Sequence, residues 1–316
     1  MPELNRPFPQ ADPELVAISI AYQNTRLIAD KVFPRKPVGK EEFKYYKFPK
    51  GSFITVPDTT AGRKGKLNEV NFEAEQVTDS TVPHGLKAPV PQSDIDNAPD
   101  GLSPLNITTE GLRDLVLLDR EVRCANKAFD ADEYAADNKV QLAGTDQWSD
   151  YANSSPIDDI ETGLNVPMIR PNKLLIGQAA WSVLRQHPEI IAAVNKNDGD
   201  KGLATKAAVA ELFELDEVIV GQGWVNIAKP GQPVNKVRVW GKHTLLFNDN
   251  ATATPTLGLG MTFGFTAQHG DPVAGTVPVP GGDMGLDGGV NVINGEKVKE
   301  LIAANDLGYF IEDCVA

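Results

Sequence analysis

The sequence predicts an α+β protein, and three stretches of contrasting pattern support this assignment. Residues 42–56 and 70–80 alternate apolar and polar side chains, which indicates the two strands of one long projecting loop. A stripe of apolar residues spaced by three and four follows and indicates a long helix. Residues 171–250 then combine short apolar runs with short helical patterns. That mixture is typical of a compact α/β module.

The bulk composition is that of an acidic globular protein large enough to bury a core. The chain has 316 residues and a net charge of −13. Acidity of this size repels a phosphate backbone and argues against sequence-specific DNA binding. No apolar run reaches the roughly 20 residues that span a membrane, and residues 1–13 lack signal-peptide features. We therefore expect a protein without a membrane partner that acts in the cytoplasm where it is made.

The projecting loop and the residues before it are basic, although the chain as a whole is acidic. Residues 31–66 hold ten Lys or Arg and three acidic residues. A lone two-stranded ribbon is marginal in water, so we expect it to lie on a neighbouring molecule. Two alternatives are a solvated loop and, less favoured beside an acidic body, a surface for single-stranded nucleic acid. The predicted contact residues are Lys40, Phe43, Lys44, Tyr45, Lys47, Lys50, Arg63, Lys64 and Lys66.

The strongest helical pattern spans about residues 108–136. Thr108 or Thr109 is the expected N-cap, because a threonine hydroxyl accepts from a free N–H group of the first turn. One apolar stripe defines the face that we expect to be buried. Its members are Leu115, Leu118, Val122, Ala125 and Phe129.

The segments flanking this helix and the α/β module are rich in Pro and Gly. Residues 83–105 contain five prolines and are expected to be loop, as are residues 270–291. A short helix is expected over 296–304 and a closing strand over 309–315.

The sequence offers no catalytic, cofactor or metal motif, so we expect no enzyme activity. None of the four histidines has ligand spacing to another histidine or a cysteine. The two cysteines, Cys124 and Cys314, are expected to be reduced and packed. Asp158, Asp159 and Glu161 form an acidic group that could act in acid–base catalysis. An acidic helix start or a solvated turn is the simpler interpretation.

The order of these segments resembles the major capsid protein of tailed double-stranded-DNA bacteriophages, with its Hong Kong-type shell fold. One passage is Leu27-Ile-Ala-Asp-Lys-Val-Phe-Pro34 running into residues 38–45. A second is Leu118-Asp-Arg-Glu-Val-Arg-Cys-Ala125. The third is Pro171-Asn-Lys-Leu-Leu-Ile-Gly177 with residues 184–188 and 239–242.

The resemblance implies a division of the chain and a function. Residues 1–40 would be an N-terminal arm and 41–82 the extended loop. Residues 83–170 would form a peripheral domain with the long helix as its spine, and 171–255 an axial domain. Residues 256–316 would return to the peripheral domain. Hexamers and pentamers of the chain would close an icosahedral shell around phage DNA, without reading its sequence, as each extended loop lies over the next subunit.

The resemblance also implies partners and a location. The short polar N-terminus suggests a separate scaffolding protein rather than a fused one, and portal and minor capsid proteins are expected. The chain would be located in the virion capsid and assembled in the cytoplasm of a bacterial host. Loop lysines of some family members form crosslinks, but none is expected here. The alternatives are an encapsulin-like cellular nanocompartment, a carboxylate-based hydrolase and a monomeric binding protein.

Overall fold

The computed structural model describes residues 12–21, 24–47, 56–61, 65–69, 75–194, 202–229, 231–250 and 262–316. Eight α-helices lie within these ranges: α1 Pro13–Ala21, α2 Ala29–Val32, α3 Gln92–Asp96, α4 Pro104–Ala128, α5 Pro156–Asn165, α6 Gln178–Leu184, α7 Pro188–Val194 and α8 Lys206–Leu212. Fourteen strands lie there too: β1 Arg35–Pro37, β2 Glu42–Lys47, β3 Glu75–Ser80, β4 Val82–Pro91, β5 Lys139–Gln141, β6 Lys173–Gly177, β7 Glu217–Gly221, β8 Trp224–Asn226, β9 Lys236–Arg238, β10 Thr244–Phe247, β11 Gly264–Gln268, β12 Val273–Val279, β13 Gly289–Ile302 and β14 Gly308–Glu312.

The first sheet, sheet I, is built around the long strand β13. Its strand order is β1-β11-β13-β12, and β4 pairs with β13 as well. The ten-residue strand β4 corrects the expectation of a loop over 83–105, and the short helix α3 follows it. Prolines are tolerated in β4 because it is an edge strand, whose outward N–H groups need no ladder partner.

Strand β13 also corrects the expected helix over 296–304. Its residues Val292, Asn294, Glu296 and Val298 alternate toward the buried face of sheet I. Two of these four inward positions are polar, so the period of two is hidden from a count of apolar residues. The neighbouring strand β12 replaces part of the loop expected over 270–291.

Helix α4 begins and ends earlier than the sequence pattern indicates. Ser103 is the N-cap, and its hydroxyl accepts from the Asn106 N–H at 3.3 Å. Pro104 follows at the first helical position, where it has no N–H to lose. Thr109 lies inside the first turns and donates to the Leu105 carbonyl oxygen at 2.8 Å. The helix ends at Ala128 instead of near residue 136, and the chain continues in 3-10 turns.

The buried face of α4 is rotated away from the predicted stripe. Leu115 is 53% exposed, so its assignment to the core is wrong for the subunit. Ala125 is buried, whereas Leu118, Val122 and Phe129 are partly buried. The buried face instead carries both apolar and charged side chains: Thr109, Leu112, Arg113, Val116, Arg120, Glu121, Cys124, Ala125 and Ala128.

The second sheet, sheet II, has the strand order β5-β14-β10-β6-β7. Successive residues alternate between its faces: Leu174 and Ile176 pack with helices α5 to α8, while Leu175 packs with the end of α4. Strand β14 pairs with β10 and β5 here. The last strand, which the sequence division places with residues 256–316 in the peripheral domain, therefore lies in the sheet of the α/β module, whereas β11, β12 and β13 lie in sheet I.

Helix α4 packs against both sheets. Near its start, Leu112 packs with Val90 and Val292 of sheet I. Near its end, Ala125 and Ala128 pack with aromatic residues of sheet II such as Phe310. No helix of the described residues is long and apolar enough to cross a membrane.

Candidate assembly surfaces

The ribbon, defined as residues 41–82, is anchored to its own subunit at its base. Strands β2 and β3 pair antiparallel from Glu42 with Ser80 to Lys47 with Glu75. Alternate residues of β2 face sheet I, so Phe43 and Tyr45 are each only 7% exposed. Tyr45 meets Phe265 edge to face, with ring centroids 6.5 Å apart. The assignment of Phe43 and Tyr45 to contacts between subunits is therefore wrong, since both pack within the chain.

The basic residues predicted to make contacts are exposed where the structure describes them. Lys40, Lys44 and Lys66 lie at the surface, and Lys44 donates to the Gln76 side-chain oxygen at 3.2 Å. Lys47 ends β2. Lys50, Arg63 and Lys64 lie outside the described residues.

The far end of the ribbon is described over residues 56–61 and 65–69, and the side-chain contact seen there joins two parts of the ribbon itself. Every residue there is exposed, and the apolar side chains of Val56 and Leu67 are 87% and 80% exposed. The Asn68 side chain donates to the Asp58 carbonyl oxygen at 2.7 Å. These two side chains are therefore the candidate apolar contact sites of the ribbon.

A buried ion cluster ties strand β1, which precedes the ribbon, to helix α4 and strand β13. Glu296 of β13 is 1% exposed and accepts from Arg35 at 2.9 Å and Arg113 at 2.8 Å. Burial alone would raise the pKa of Glu296, but the two guanidinium groups outweigh it and lower the pKa to about 2. Such a pair is costly to break, because either partner left alone is an uncompensated buried charge.

Arg120 extends this cluster toward the segment that precedes β1. Its guanidinium donates to Asp30 at 2.7 Å, to the Phe33 carbonyl oxygen at 3.0 Å and to Thr266 at 2.9 Å. One turn further along α4, Arg123 pairs with Glu300 at 2.9 Å. These bonds fix residues 30–35 to α4 and thereby set the direction in which the ribbon leaves the subunit.

Glu121 is a buried carboxylate that connects three segments. It accepts from the backbone N–H groups of Ile28 at 2.9 Å and Ala29 at 2.7 Å, and from the indole N–H of Trp240. The two backbone groups open helix α2, where no side chain of α2 itself serves as a cap. Burial raises the pKa of Glu121, and the three donors oppose that rise.

The sequence pattern does not reveal this cluster. Arg113, Arg120 and Glu121 lie on one helical face, and this spacing is the one signal available from the chain alone. Their main partners lie on other elements, more than 80 residues away in the case of Asp30 and Glu296. Only the fold brings them together.

The acidic group considered for catalysis has structural contacts. Asp159 accepts from the Trp148 indole N–H at 2.8 Å, and burial raises its pKa. Asp158 and Asp159 occupy the first turn of α5, where negative charge is favourable. In the part of the chain that the structure describes, no three His, Cys, Asp or Glu side chains are placed to hold a metal ion.

Comparison of the sequence with known proteins identifies relatives along the whole chain. Residues 128–280 match the family model described as phage major capsid protein E. The chain is 49% identical over 313 residues to the major capsid protein of Pseudomonas phage JBD67, and the match covers 99% of each protein.

Solved structures share the fold with this chain. A phage-related protein from Bordetella bronchiseptica RB50 superposes with a TM-score of 0.73 at 26% identity, over 96% of this chain and 97% of that one. The SrpI encapsulin of Synechococcus elongatus PCC 7942 gives a TM-score of 0.50 at 10% identity, over 96% of each chain. Because the fold is common to both kinds of shell, the full-length identity to a phage protein decides between them.

Proposed function

Because this chain belongs to the phage major capsid protein family, we propose that it closes an icosahedral shell of hexamers and pentamers around double-stranded phage DNA. Its role is structural: the chain associates with copies of itself in the virion capsid. The proposal concerns how the copies are held. The far end of the ribbon of one subunit lies over the next subunit, while its base stays on its own sheet I.

The exposed end of the ribbon is the observation that carries this proposal. Val56 and Leu67 stand in water at the end of a segment whose base is firmly anchored. Burying two such side chains on a neighbour is favourable by roughly 25 cal/mol per Å² of apolar area. Each contact is small, but closed symmetry repeats it at every subunit.

Charge complementarity supports the same arrangement. Residues 31–66 carry a net charge of +7 in a chain of net charge −13, so the rest of each copy carries −20 and offers acidic surface to this segment. Complementary charge selects the partner and its register more than it adds affinity. The same acidity favours a shell that encloses DNA without binding its sequence.

Further partners belong to the proposal. We expect a separate scaffolding protein to direct closure in the cytoplasm of the bacterial host, and portal and minor capsid proteins to complete the particle. We expect no covalent crosslink from the ribbon lysines. Mass spectrometry of denatured virions tests the last point, since crosslinked subunits would run as covalent multimers.

The experiment that tests the ribbon contact replaces residues 48–74 with an Asn-Gly turn, which closes a two-residue hairpin between β2 and β3. The base and its packing on Phe265 are kept. We expect a folded subunit that forms no shells when it is produced with the structural proteins of its phage. Normal shells in electron micrographs would contradict the proposal.

Point variants separate the apolar contact from ribbon length. We expect the double variant Val56→Ser with Leu67→Ser to reduce shell yield strongly and to leave the subunit's unfolding midpoint unchanged. The matched control, Val56→Ile with Leu67→Met, keeps both side chains apolar and should assemble normally. Equal yields from the two double variants would show that burial of these side chains does not hold the shell.

A further inference from the structure

A second projecting element, the hairpin of strands β8 and β9, lies beyond the edge strand β7 of sheet II. Trp224 pairs with Arg238 and Asn226 with Lys236, and these two strands form a sheet of their own. The Arg238 guanidinium lies 3.7 Å from the centroid of the Trp224 ring and donates to the Gln222 carbonyl oxygen at 2.7 Å. The hairpin therefore has a defined shape.

The hairpin exposes more apolar surface than a lone two-stranded sheet sustains in water. Trp224 is 50% exposed, Ile227 59%, Val234 65% and Val237 38%. None of these four side chains packs into a hydrophobic cluster of the described chain. Isolated hairpins are marginally stable, and several large exposed apolar side chains on one projecting hairpin are typical of an interaction surface.

The charge of the hairpin identifies its partner. Residues 222–240 contain three basic and no acidic residues, in a chain of net charge −13. The opposite end of the same edge strand carries exposed acids: Glu211, Glu214 and Asp216 come directly before β7. The five residues of β7 span about 17 Å. One edge of the subunit thus presents a basic apolar end and an acidic end.

We propose that the hairpin docks on a second copy of this chain, at the acidic end of that copy's β7 edge. The contact joins different surfaces of the two copies and is head-to-tail, which generates a ring when the rotation closes. This inference rests on the proposed function and adds a second site at which the subunits of one ring meet. It is separate from the ribbon, which leaves the subunit from sheet I.

Nucleic acid is a poorer occupant of the hairpin than protein. Arg238 covers one face of Trp224, so that face is closed to a base. Ile227, Val234 and Val237 offer aliphatic surface, which gains nothing from a hydrated phosphate backbone but fits the partly apolar core of a protein interface.

A photo-crosslinking amino acid at Ile227 tests the identity of the occupant. Particles are made with the full set of structural proteins of the phage, irradiated and digested. We expect capsid-to-capsid links that map to residues 205–217 of a second copy. Links to DNA, links to another virion protein or no link would overturn the inference. The control position is Tyr151, which is 44% exposed and lies away from the β7 edge in sequence; an equal link from Tyr151 to the same segment would also count against it.

Charge reversal tests the pairing itself. We expect Lys229→Glu with Lys236→Glu, and separately Glu211→Lys with Glu214→Lys, each to lower particle yield at least about tenfold, because each reversal places like charges opposite one another. All four changes in one chain should restore the yield. Unchanged yields from the separate pairs, or no recovery in the combination, would overturn the inference. Lys87→Glu, at an exposed position of β4 in sheet I, is the control for a single charge reversal and should assemble normally.

The two proposals fail in different ways. If the unsubstituted chain forms no particles with its phage partners, the proposed function fails and this inference fails with it. If particles form and neither crosslinks nor charge reversal involve the hairpin, the inference alone fails.

Discussion

Replacing the carboxylate of Glu296 with an amide, Glu296→Gln, tests whether the buried ion cluster stabilises the subunit. The side chain is 1% exposed and lies between Arg35 and Arg113, whose own side chains are 22% and 7% exposed. The amide keeps the shape and removes the charge. The two guanidinium groups are then left buried without their shared anion, which is the costly half of breaking such a pair.

The size of the effect follows from the pKa of Glu296. The folded chain lowers this pKa from 4.5 to about 2, and each unit corresponds to 1.36 kcal/mol, so the charged form contributes about 3 kcal/mol. Because the folded pKa lies below the unfolded one, the contribution is complete above pH 4.5. It is lost as the pH falls from 4.5 toward 2, where the folded state also takes up the proton.

The assay is urea unfolding of the unassembled subunit, followed by tryptophan fluorescence at a series of pH values. We expect Glu296→Gln to lower the free energy of unfolding by about 3 kcal/mol at pH 7. We expect the gap to the unsubstituted chain to narrow as the pH falls from 4.5 to 2 and to close below pH 2, where the Glu296 carboxyl is neutral in the folded and the unfolded chain. A gap that is absent at pH 7, or that stays constant down to pH 2, would refute the reasoning. The control is Glu41→Gln. It removes an exposed carboxylate that pairs with Lys297, the neighbour of Glu296 on β13, and it should leave the unfolding curve unchanged.

Three further substitutions test the packing, and each is measured by urea unfolding. Glu121→Ala removes the acceptor of three N–H donors and should cost about 3 kcal/mol, since buried unsatisfied donors are penalised. Gly177→Ala would place a Cβ 2.3 and 2.4 Å from two backbone carbonyl oxygens and should cost at least about 2 kcal/mol, whereas Gly39→Ala, with open space around the Cβ, should cost nothing measurable. Leu112→Ala should cost about 3 kcal/mol, and Leu115→Ala less than about 0.5 kcal/mol, because only Leu112 is buried.

Each of these three predictions has its own contrary result. A change of less than about 1 kcal/mol for Glu121→Ala would mean that water reaches the donors. Equal effects at the two glycines would contradict the close approach at Gly177. A larger loss at Leu115 than at Leu112 would mean that the phase of α4 is the one that the apolar stripe predicts.

For the long helix, apolar periodicity predicts the helix itself but not which of its faces is buried. Its existence and approximate position follow from the stripe that starts at Leu115, because spacings of three and four do not arise in strands. Its phase does not follow, since Arg113, Arg120 and Glu121 occupy the buried face. Charged residues count as surface in any pattern of hydrophobicity, and only their partners on other elements make their burial possible.

Sheet I was the least predictable part for the same kind of reason. Asn294 and Glu296 face inward and conceal the alternation of β13. Prolines in β4 and β12 suggest loops, because the sequence does not reveal which strands lie at an edge. Sheet II was easier to predict from the sequence. Leu174, Leu175 and Ile176 form an unbroken apolar run, as expected for a strand covered on both faces.

In the ribbon, the alternation of apolar and polar side chains predicts the strands but not the molecule that they contact. The patterns in residues 42–56 and 70–80 predict two paired strands, and within those ranges Glu42–Lys47 pairs with Glu75–Ser80, while residues 48–55 and 70–74 lie outside the described residues. The alternation does not say which molecule covers the aromatic side chains. Phe43 and Tyr45 prove to be covered by the subunit's own Phe265. The basic side chains and the apolar end of the ribbon are exposed in their described parts, and we propose that a neighbour covers them.

An electron cryomicroscopy map of particles assembled from this chain is the most direct test of the account. We predict that the density for residues 56–69 lies on an adjoining subunit, with Val56 and Leu67 buried there, while Phe43 remains on its own sheet I. Density that returns residues 56–69 to the surface of their own subunit, in a closed particle, would contradict the central claim.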